Sequence, residues 1–581
     1  MSYFSRHKLI TVWAIIAFFL FVGMSPTLYE WNSRGRTHAD RWFELVHNFP
    51  TDYNLYLSRI REGKEGAWLA SEKYTSEPHA GSLSQILYVL IGRISDWVHV
   101  QTPYVWFSYH VARAFFAVLF LWAIWKVVEW AMPSFGWQIL TFLLVVTAST
   151  WPKFEWVAGW PRFGGFMPWF TMVDSLQRIA FMPHVLLAQT LQLFILWVFS
   201  GGFISKRHPF NWVFLGILGF ILGIIFPPGL VFIYAVLGGI TIFEFFGIVL
   251  TWQKGRGSMQ KQLTAWFVRD VAGRIIFGML SIPSALYFAL LLSQYPWKRL
   301  AEFDILHPTQ FSYLEYFLAL GATLPLGLLG MAQVIFGKKK EILSKFRFLV
   351  IWIVAWLGLL FLFDKIPQQS PTRFTQMAPN IPLGIFTGYL FYELSKFLRS
   401  KKYLVPRLPI QGYKLVLIIP FVVIALGFGT MASSYMWLKD FVDHKLRATI
   451  PLVPHGAEVM YPMLDIIDAL TWLQVNTPRT SIVVSGMTTG NYIPVYAGNT
   501  AYIGHANTVR LEEKQATVGN FYVKRLSYDI EFGWLKDSNI SYVFYGPEEY
   551  DLSGGIADLR DLYPTLVQVF QNRSVRIYKV P

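Results

Sequence analysis

One polar stretch brings together residue types able to move protons: Phe49-Pro-Thr-Asp52-Tyr-Asn-Leu-Tyr56-Leu-Ser-Arg59-Ile-Arg61-Glu-Gly63, then Tyr74-Thr-Ser-Glu77-Pro-His79. Carboxylates and imidazoles are the usual general acids and bases, and carboxylates also hold divalent cations. Asp52 is the first candidate. It follows a proline and precedes a helix-like run, 53–61, so a simple N-cap worth about 1 kcal/mol accounts for it as well. Its neighbours Tyr56, Arg59 and Asp40, with Glu77 and His79 further on, favour chemistry over capping. A lone exposed histidine is more often not a ligand, so His79 ranks below Asp52.

A second set of residues suits an anion. Arg373, in Gln368-Gln-Ser-Pro-Thr-Arg373-Phe374, stands at the edge of an apolar run beside other donors. It is placed either to fork a phosphate or to snorkel toward headgroups. Lys153, Arg162 and Arg178 are further candidates for a phosphate, as is Lys298. Asp174 and Arg178 are four apart, the spacing of an ordinary helical ion pair. His184, after Pro183, reads equally as an interface residue.

The elements that hold these groups are membrane elements. The apolar fraction is 54%, with 24 Trp, 29 Tyr and 50 Phe, a composition suited to spans bordered by aromatics. At about 20 residues per span there are about eleven candidates. They lie near 9–24, 104–130, 137–150, 183–200, 211–226, 229–252, 272–292, 313–336, 348–363, 376–398 and 415–437. The break at Pro227-Pro228 leaves open whether its two neighbours are one interrupted span. Arg6 and Lys8 precede the first span, but Met24-Ser-Pro-Thr has no small-x-small cleavage site, so no cleavable signal peptide is expected.

Alternate loops carry most of the lysine and arginine: Arg6/Lys8, Lys206/Arg207, Lys254 to Arg269, Lys338 to Arg347 and Lys396 to Arg407. The positive-inside rule makes these loops cytoplasmic. The expectation is a multi-pass protein of the cell membrane with a cytoplasmic N-terminus and an extracytoplasmic C-terminal domain. The net charge of +15 belongs to these loops. From His455 onward there are 10 basic against 13 acidic residues, so nucleic-acid binding is excluded. No cysteine is present, which rules out disulfides and thiolate metal sites.

Two domains are expected: 1–437, a membrane domain with a large first outer loop at 26–101, and 452–581, a soluble domain. The end of the outer loop, 81–95, is apolar but short, which fits a helix lying in the interface. The loop 151–182 is also long and outward. In the tail, 465–475 and 509–522 read as helices, while 481–486, 492–497, 542–546, 566–570 and 575–580 read as strands, the last two as a hairpin. Alternating helices and strands argue for a small α/β domain. The loops Met487-Thr-Thr-Gly490 and Gly504-His505-Ala-Asn507 make a polar rim that ordinary turn chemistry also explains. The sequence has no P-loop, no dinucleotide fingerprint, no serine elbow and no HExxH.

With a large first outer loop, an acidic residue soon after span one and an interfacial helix, the chain resembles the GT-C superfamily of polytopic glycosyltransferases. That group includes protein mannosyltransferases, the lipid A aminoarabinose transferase and oligosaccharyltransferase catalytic subunits. The tail, from Ala469-Leu-Thr-Trp-Leu-Gln-Val-Asn-Thr-Pro478 to Gly504-His505, is similar to those of uncharacterised bacterial membrane proteins grouped with it. Many members carry a paired acidic motif in the first loop, where this chain has Asp52-Tyr and, upstream, Asp40-Arg. The resemblance implies transfer of a sugar from a polyprenyl-phosphate donor to a glycan, lipid or protein acceptor at the outer leaflet. Asp52 would deprotonate the acceptor or hold a divalent cation, magnesium or manganese, and Arg373, helped by Lys153 or Arg162, would stabilise the leaving phosphate.

Two other readings compete. An O-antigen-type polymerase or ligase places its working loop between late spans, whereas the long outer loop here is the first. A transporter, or a non-enzymatic membrane protein with an outer binding domain, would keep its function without Asp52.

Overall fold

The computed structural model describes residues 3–47, 49–101, 104–157, 159–167, 173–201, 209–254, 258–306, 312–365, 372–400, 416–448, 460–524 and 527–581. Residues 368–371 ahead of Arg373, and the expected start of the soluble tail at 452, lie outside the described residues.

The chain is a polytopic helical membrane protein with a sheet-containing C-terminal region. Each of the expected apolar stretches contains a helix. Six helices among the described residues are long and apolar enough to cross a membrane, or seven when Tyr313–Ala319 and Thr323–Phe336, bent by 84°, count as one span. Phe135–Val146, Pro183–Phe199 and Asn211–Ile225 are apolar but shorter. At Pro227-Pro228 the chain breaks into two helices, Pro209–Ile225 and Pro227–Gln253. Proline is tolerated there because the first turn of a helix needs no N–H donor.

Two compact units make up the structure. The first comprises Met1–Ser25, Arg113–Phe288 and Pro308–Trp437. Its core includes the buried Trp352 and Trp356, and Trp352 Nε1 donates to Met377 O at 2.9 Å, so the indole loses no hydrogen bond on burial. The loop 151–182 is not irregular throughout. Strands β1 (Lys153–Val157) and β2 (Trp160–Gly164) form an antiparallel hairpin, followed by the short helix Ser175–Ile179.

The second unit comprises Pro26–Ala112, Ala289–His307 and Leu438–Pro581. Helix Pro50–Lys64 packs along helix Ile86–Trp97. Their backbones approach closely through two glycines: a Cβ on Gly63 would fall 1.9 Å from Val89 O, and one on Gly92 1.9 Å from Ile60 O. Leu90, Ile94 and Trp97 remain exposed on the outer face of the second helix, the pattern of a helix that lies at an interface.

The tail folds around a five-stranded sheet of order β4-β3-β5-β7-β6. Strand β3 (Ile482–Val484) runs parallel to β4 (Thr500–Ala501) and to β5 (Ile540–Tyr545). The expected hairpin is β6 (Val567–Gln571) with β7 (Arg576–Lys579), and β7 also pairs antiparallel with β5. Helices Leu464–Asn476 and Leu511–Tyr522 match the helical expectation. Val484, Phe521, Tyr522, Val543 and Tyr578 are among the buried core residues. The run 492–497 is not a strand. It continues the helix Met487–Tyr492 as a π-helical turn, Ile493–Ala497. Pro494 has no N–H to give a ladder but fits early in a helical turn, and the whole turn is buried. An apolar run buried on every side carries no alternation, so helix and strand look alike in sequence.

Candidate functional site

In the second unit, helix Pro50–Lys64 is buried from Tyr53 to Gly63. Asp52 sits in its first turn. It is not the N-cap, as its position after proline suggested. Phe49 holds that position, Pro50 starts the helix, and no side chain caps it. The first turn is still a favourable place for a negative charge, beside the unsatisfied N–H groups and the positive end of the helix dipole.

Among the described residues the carboxylate pairs with one histidine. His505 Nε2 lies 3.1 Å from Asp52 Oδ1, with the imidazole side chain 4% exposed and the carboxylate 46% exposed. The Asn507 backbone N–H donates to His505 Nδ1 at 3.1 Å, so Nδ1 is the acceptor nitrogen and Nε2 carries the proton given to Asp52. The ring also packs against Tyr74, with centroids 5.3 Å apart.

The loop bearing His505 is fixed to the helix by Asn491. Its Nδ2 donates to Gly504 O at 2.9 Å, and its Oδ1 accepts from Asn54 Nδ2 at 2.7 Å. Gly504 packs directly on Gly490, where a side chain on either would collide with backbone. Arg61 reaches the same region, donating from Nη1 to Val495 O at 2.8 Å.

Arg59, with no exposed surface, anchors a buried polar cluster. Its Nη2 lies 2.9 Å from Glu72 Oε2, its Nη1 3.4 Å from Glu62 Oε2, and its Nε donates to Gln85 Oε1 at 3.0 Å. Asn507 Nδ2 donates to the same Glu72 oxygen at 3.1 Å. A continuous path therefore runs from Arg59 through Glu72, Asn507 and His505 to Asp52. Burial alone would lower the basicity of Arg59, but the charges of Glu72 and Glu62 raise it above its ordinary value. Arg59 thus supports the site from behind.

Glu77 and His79 are engaged elsewhere. Glu77 pairs with Lys514 at 2.8 Å and accepts from Thr75 Oγ1. Its partial burial works to raise its pKa, and the hydrogen bonds from Lys514 and Thr75 outweigh that to hold the carboxyl below the usual range. His79 Nε2 accepts the Glu72 N–H at 2.7 Å, and its Nδ1 donates to Glu77 O at 2.7 Å. Both ring nitrogens serve backbone groups. Tyr56 stacks on Tyr88 with centroids 4.4 Å apart, inside the core of the helix pair.

Lys298 lies in the second unit, 3.2 Å from Glu302 Oε1, whereas the other anion-binding candidates belong to the first unit. Arg373 is exposed on the short helix Thr372–Thr375. Lys153, at the start of β1, lies over the Phe166 ring at 4.0 Å. Arg162, on β2, is buried with its guanidinium 5.0 Å from the Trp437 ring. Asp174 and Arg178 do not spend themselves on each other. Asp174 caps helix Ser175–Ile179, accepting from Leu176 N at 2.8 Å and Gln177 N at 3.0 Å. Arg178 is buried and gives Nη2 to Ala148 O at 2.7 Å and Val146 O at 3.1 Å. His184 follows Pro183 in the first turn of Pro183–Phe199 and is half-buried.

Among the described residues no group of three or more His, Asp or Glu side chains is arranged to hold a metal ion. Around Asp52 the reason is visible: Glu62 and Glu72 are committed to Arg59, and Glu77 to Lys514.

His505 and Asn507, which the sequence offered only as part of a polar rim that turn chemistry also explains, are the residues that meet Asp52 and Glu72. Nothing in local spacing links them to Asp52.

No protein-family model and no curated protein matches the chain. Solved structures do. The chain is similar over 98% of its length to the archaeal oligosaccharyltransferase AglB from Archaeoglobus fulgidus in complex with an inhibitory peptide and a dolichol-phosphate, covering 73% of that chain at 13% identity with a TM-score of 0.51. The Archaeoglobus fulgidus oligosaccharyltransferase in complex with Zn and sulfate matches 97% of this chain and 72% of its own at 13% identity, TM-score 0.52. ArnT from Cupriavidus metallidurans bound to undecaprenyl phosphate is matched over 98% of this chain and 97% of that one at 11% identity, TM-score 0.49. The oligosaccharyltransferase likeness is one of fold, and it is the fold expected from the resemblance to polytopic glycosyltransferases.

Proposed function

We propose that the chain is a membrane glycosyltransferase, moving a sugar from a polyprenyl-phosphate donor to an acceptor hydroxyl or amide on a glycan, lipid or protein at the outer face of the membrane. The observation that carries this reading is the Asp52–His505 pair: a half-exposed carboxylate held in place by a buried imidazole of fixed tautomer. The fold shared with a protein that binds dolichol-phosphate supports it. The distribution of lysine and arginine among the loops supports a cytoplasmic N-terminus and an extracytoplasmic C-terminal domain.

In this reading Asp52 is the catalytic residue. Its Oδ1 is tied to His505, which leaves Oδ2 to take the proton of the acceptor as the acceptor oxygen or nitrogen attacks the anomeric carbon. The bond from that carbon to the phosphate oxygen breaks, and the electron pair leaves with the lipid phosphate. Arg373 is the proposed cation for that phosphate, with Lys153 and Arg162 as further candidates. Guanidinium groups suit the role because they fork two phosphate oxygens at once. Arg178, whose Nη2 is committed to carbonyls, is better suited to holding its loop.

Among the described residues no group of three or more ligands surrounds Asp52, so a divalent cation, magnesium or manganese, fits this chain only as an ion carried largely by the donor phosphate with Asp52 as a protein ligand. When bound it would supply charge neutralisation at the phosphate. No step above is routed through it.

The test is transfer from a radiolabelled polyprenyl-phosphate sugar by the full-length protein reconstituted in vesicles. Labelled product from the wild type and none from Asp52→Asn is the expected result. Equal transfer by both removes Asp52 from the reaction.

A further inference from the structure

A separate polar cleft occurs within the first unit, at the ends of the helices next to the lysine-rich loops. It has a volume of about 440 Å³ and is lined by residues of Pro227–Gln253, of the segment beginning at Met259, and by Arg347 of Lys340–Asp364. That size falls in the range of small-molecule sites.

Its floor is an ion network. Glu244 Oε2 lies 2.9 Å from Arg274 Nη2 and accepts from Trp266 Nε1 at 2.8 Å, while Oε1 lies 2.7 Å from Arg347 Nη1. Arg274 also donates from Nη1 to Thr241 Oγ1 at 2.7 Å. Its side chain is 10% exposed, and among the described residues its buried Nε has no hydrogen-bond partner. At the rim, Arg269 is 65% exposed and pairs with Asp270 through Nε at 2.7 Å. Arg269 and Asp270 stand in a π-helical turn, Phe267–Val271, a distortion that often marks a working site in a helix.

The charges do not cancel. Among the lining residues two guanidinium groups, those of Arg269 and Arg347, stand with one carboxylate, that of Glu244. Uncompensated positive charge is costly in a membrane protein, so an anion at this place relieves the surplus. Phe243, Gly247 and Ile248 give the cleft an apolar wall, beside the polar Thr251 and Gln262. A ligand that matches both features has a charged end and a hydrocarbon end. Basic pockets between membrane helices are the ordinary receptors for acidic headgroups.

We propose that this cleft binds the phosphate headgroup of an anionic membrane lipid, with Arg269 and Arg347 on the phosphate and the Phe243–Ile248 wall against the upper acyl chain. The proposal is independent of the transferase reading. The chemistry recognised is a phosphate, and a free phosphate is the other source of it.

The test is native mass spectrometry of the full-length protein released from bilayers of phosphatidylcholine mixed with phosphatidylglycerol. The expected result is selective retention of phosphatidylglycerol by the wild type, reduced several-fold in both Arg269→Gln and Arg347→Gln, and not displaced by excess inorganic phosphate. Arg269 lies outside the buried network, so Arg269→Gln remains informative even if Arg347→Gln unfolds. Retention in Arg269→Gln equal to the wild type overturns the proposal, as does equal retention of the two lipids by the wild type. Displacement of the lipid by inorganic phosphate makes the cleft a free-anion site and ends the lipid assignment.

Discussion

His505 Nε2 donates to Asp52 Oδ1 at 3.1 Å across a separation of 453 residues. The imidazole is buried and the carboxylate half exposed, so one residue fixes the geometry and the other meets the solvent side.

Replacing Asp52 with Asn keeps the size of the side chain and its place in the first helical turn while removing the base. Transfer should fall by about 10²–10⁴-fold, the usual worth of a positioned general base. Thermal unfolding and membrane insertion should match the wild type, which separates lost chemistry from lost folding.

His505 is a positioning residue, acting through Asp52. His505→Ala should lower kcat by about tenfold, part of the contribution of the base it orients. KM for the donor should stay unchanged, and His505→Gln, which keeps a donor, should recover part of the loss. A fall in expression with normal kcat in the surviving protein would make the histidine purely structural.

Arg59→Met leaves Glu72 and Glu62 buried without their cation. Removing one partner of a buried pair costs about 3–5 kcal/mol. Thermal unfolding of the variant should move sharply downward. Arg59→Lys should restore only part, because an ammonium cannot reproduce the several directed bonds of the guanidinium.

Burial pushes the Glu44 carboxyl up to about 7, against a hydrogen bond from Tyr496 that lowers it. A carboxyl raised in the folded state binds its proton more tightly there than in the unfolded chain. Its contribution is therefore full below the ordinary value of 4.5 and is lost as pH rises to about 7. Stability should fall across that window by up to about 3 kcal/mol. Glu44→Gln should flatten that part of the Tm-against-pH curve; an unaltered slope would assign the dependence to another group.

Arg373→Ala should weaken binding of the polyprenyl-phosphate donor by about 1–3 kcal/mol if the guanidinium makes a charged hydrogen bond to the phosphate. Direct binding of the labelled donor measures this. Unchanged affinity would identify a residue that merely extends toward the lipid headgroups.

The membrane character, the approximate helix positions and most of the tail's helices and strands were determined by the sequence itself, because hydropathy and short-range periodicity are local properties of the chain. Asp52 was legible for the same reason, as a carboxylate at the start of a helix after an apolar span. Tertiary structure alone decided which groups meet. It placed His505 on Asp52, turned Glu77 toward Lys514 and His79 toward backbone, and buried Arg59 among carboxylates that an isolated helix would leave in water. It also coiled 492–497 into a helical turn, since a run buried on all sides has no period to read. These outcomes depend on contacts between segments hundreds of residues apart, where no repeat or spacing in the sequence records the partner.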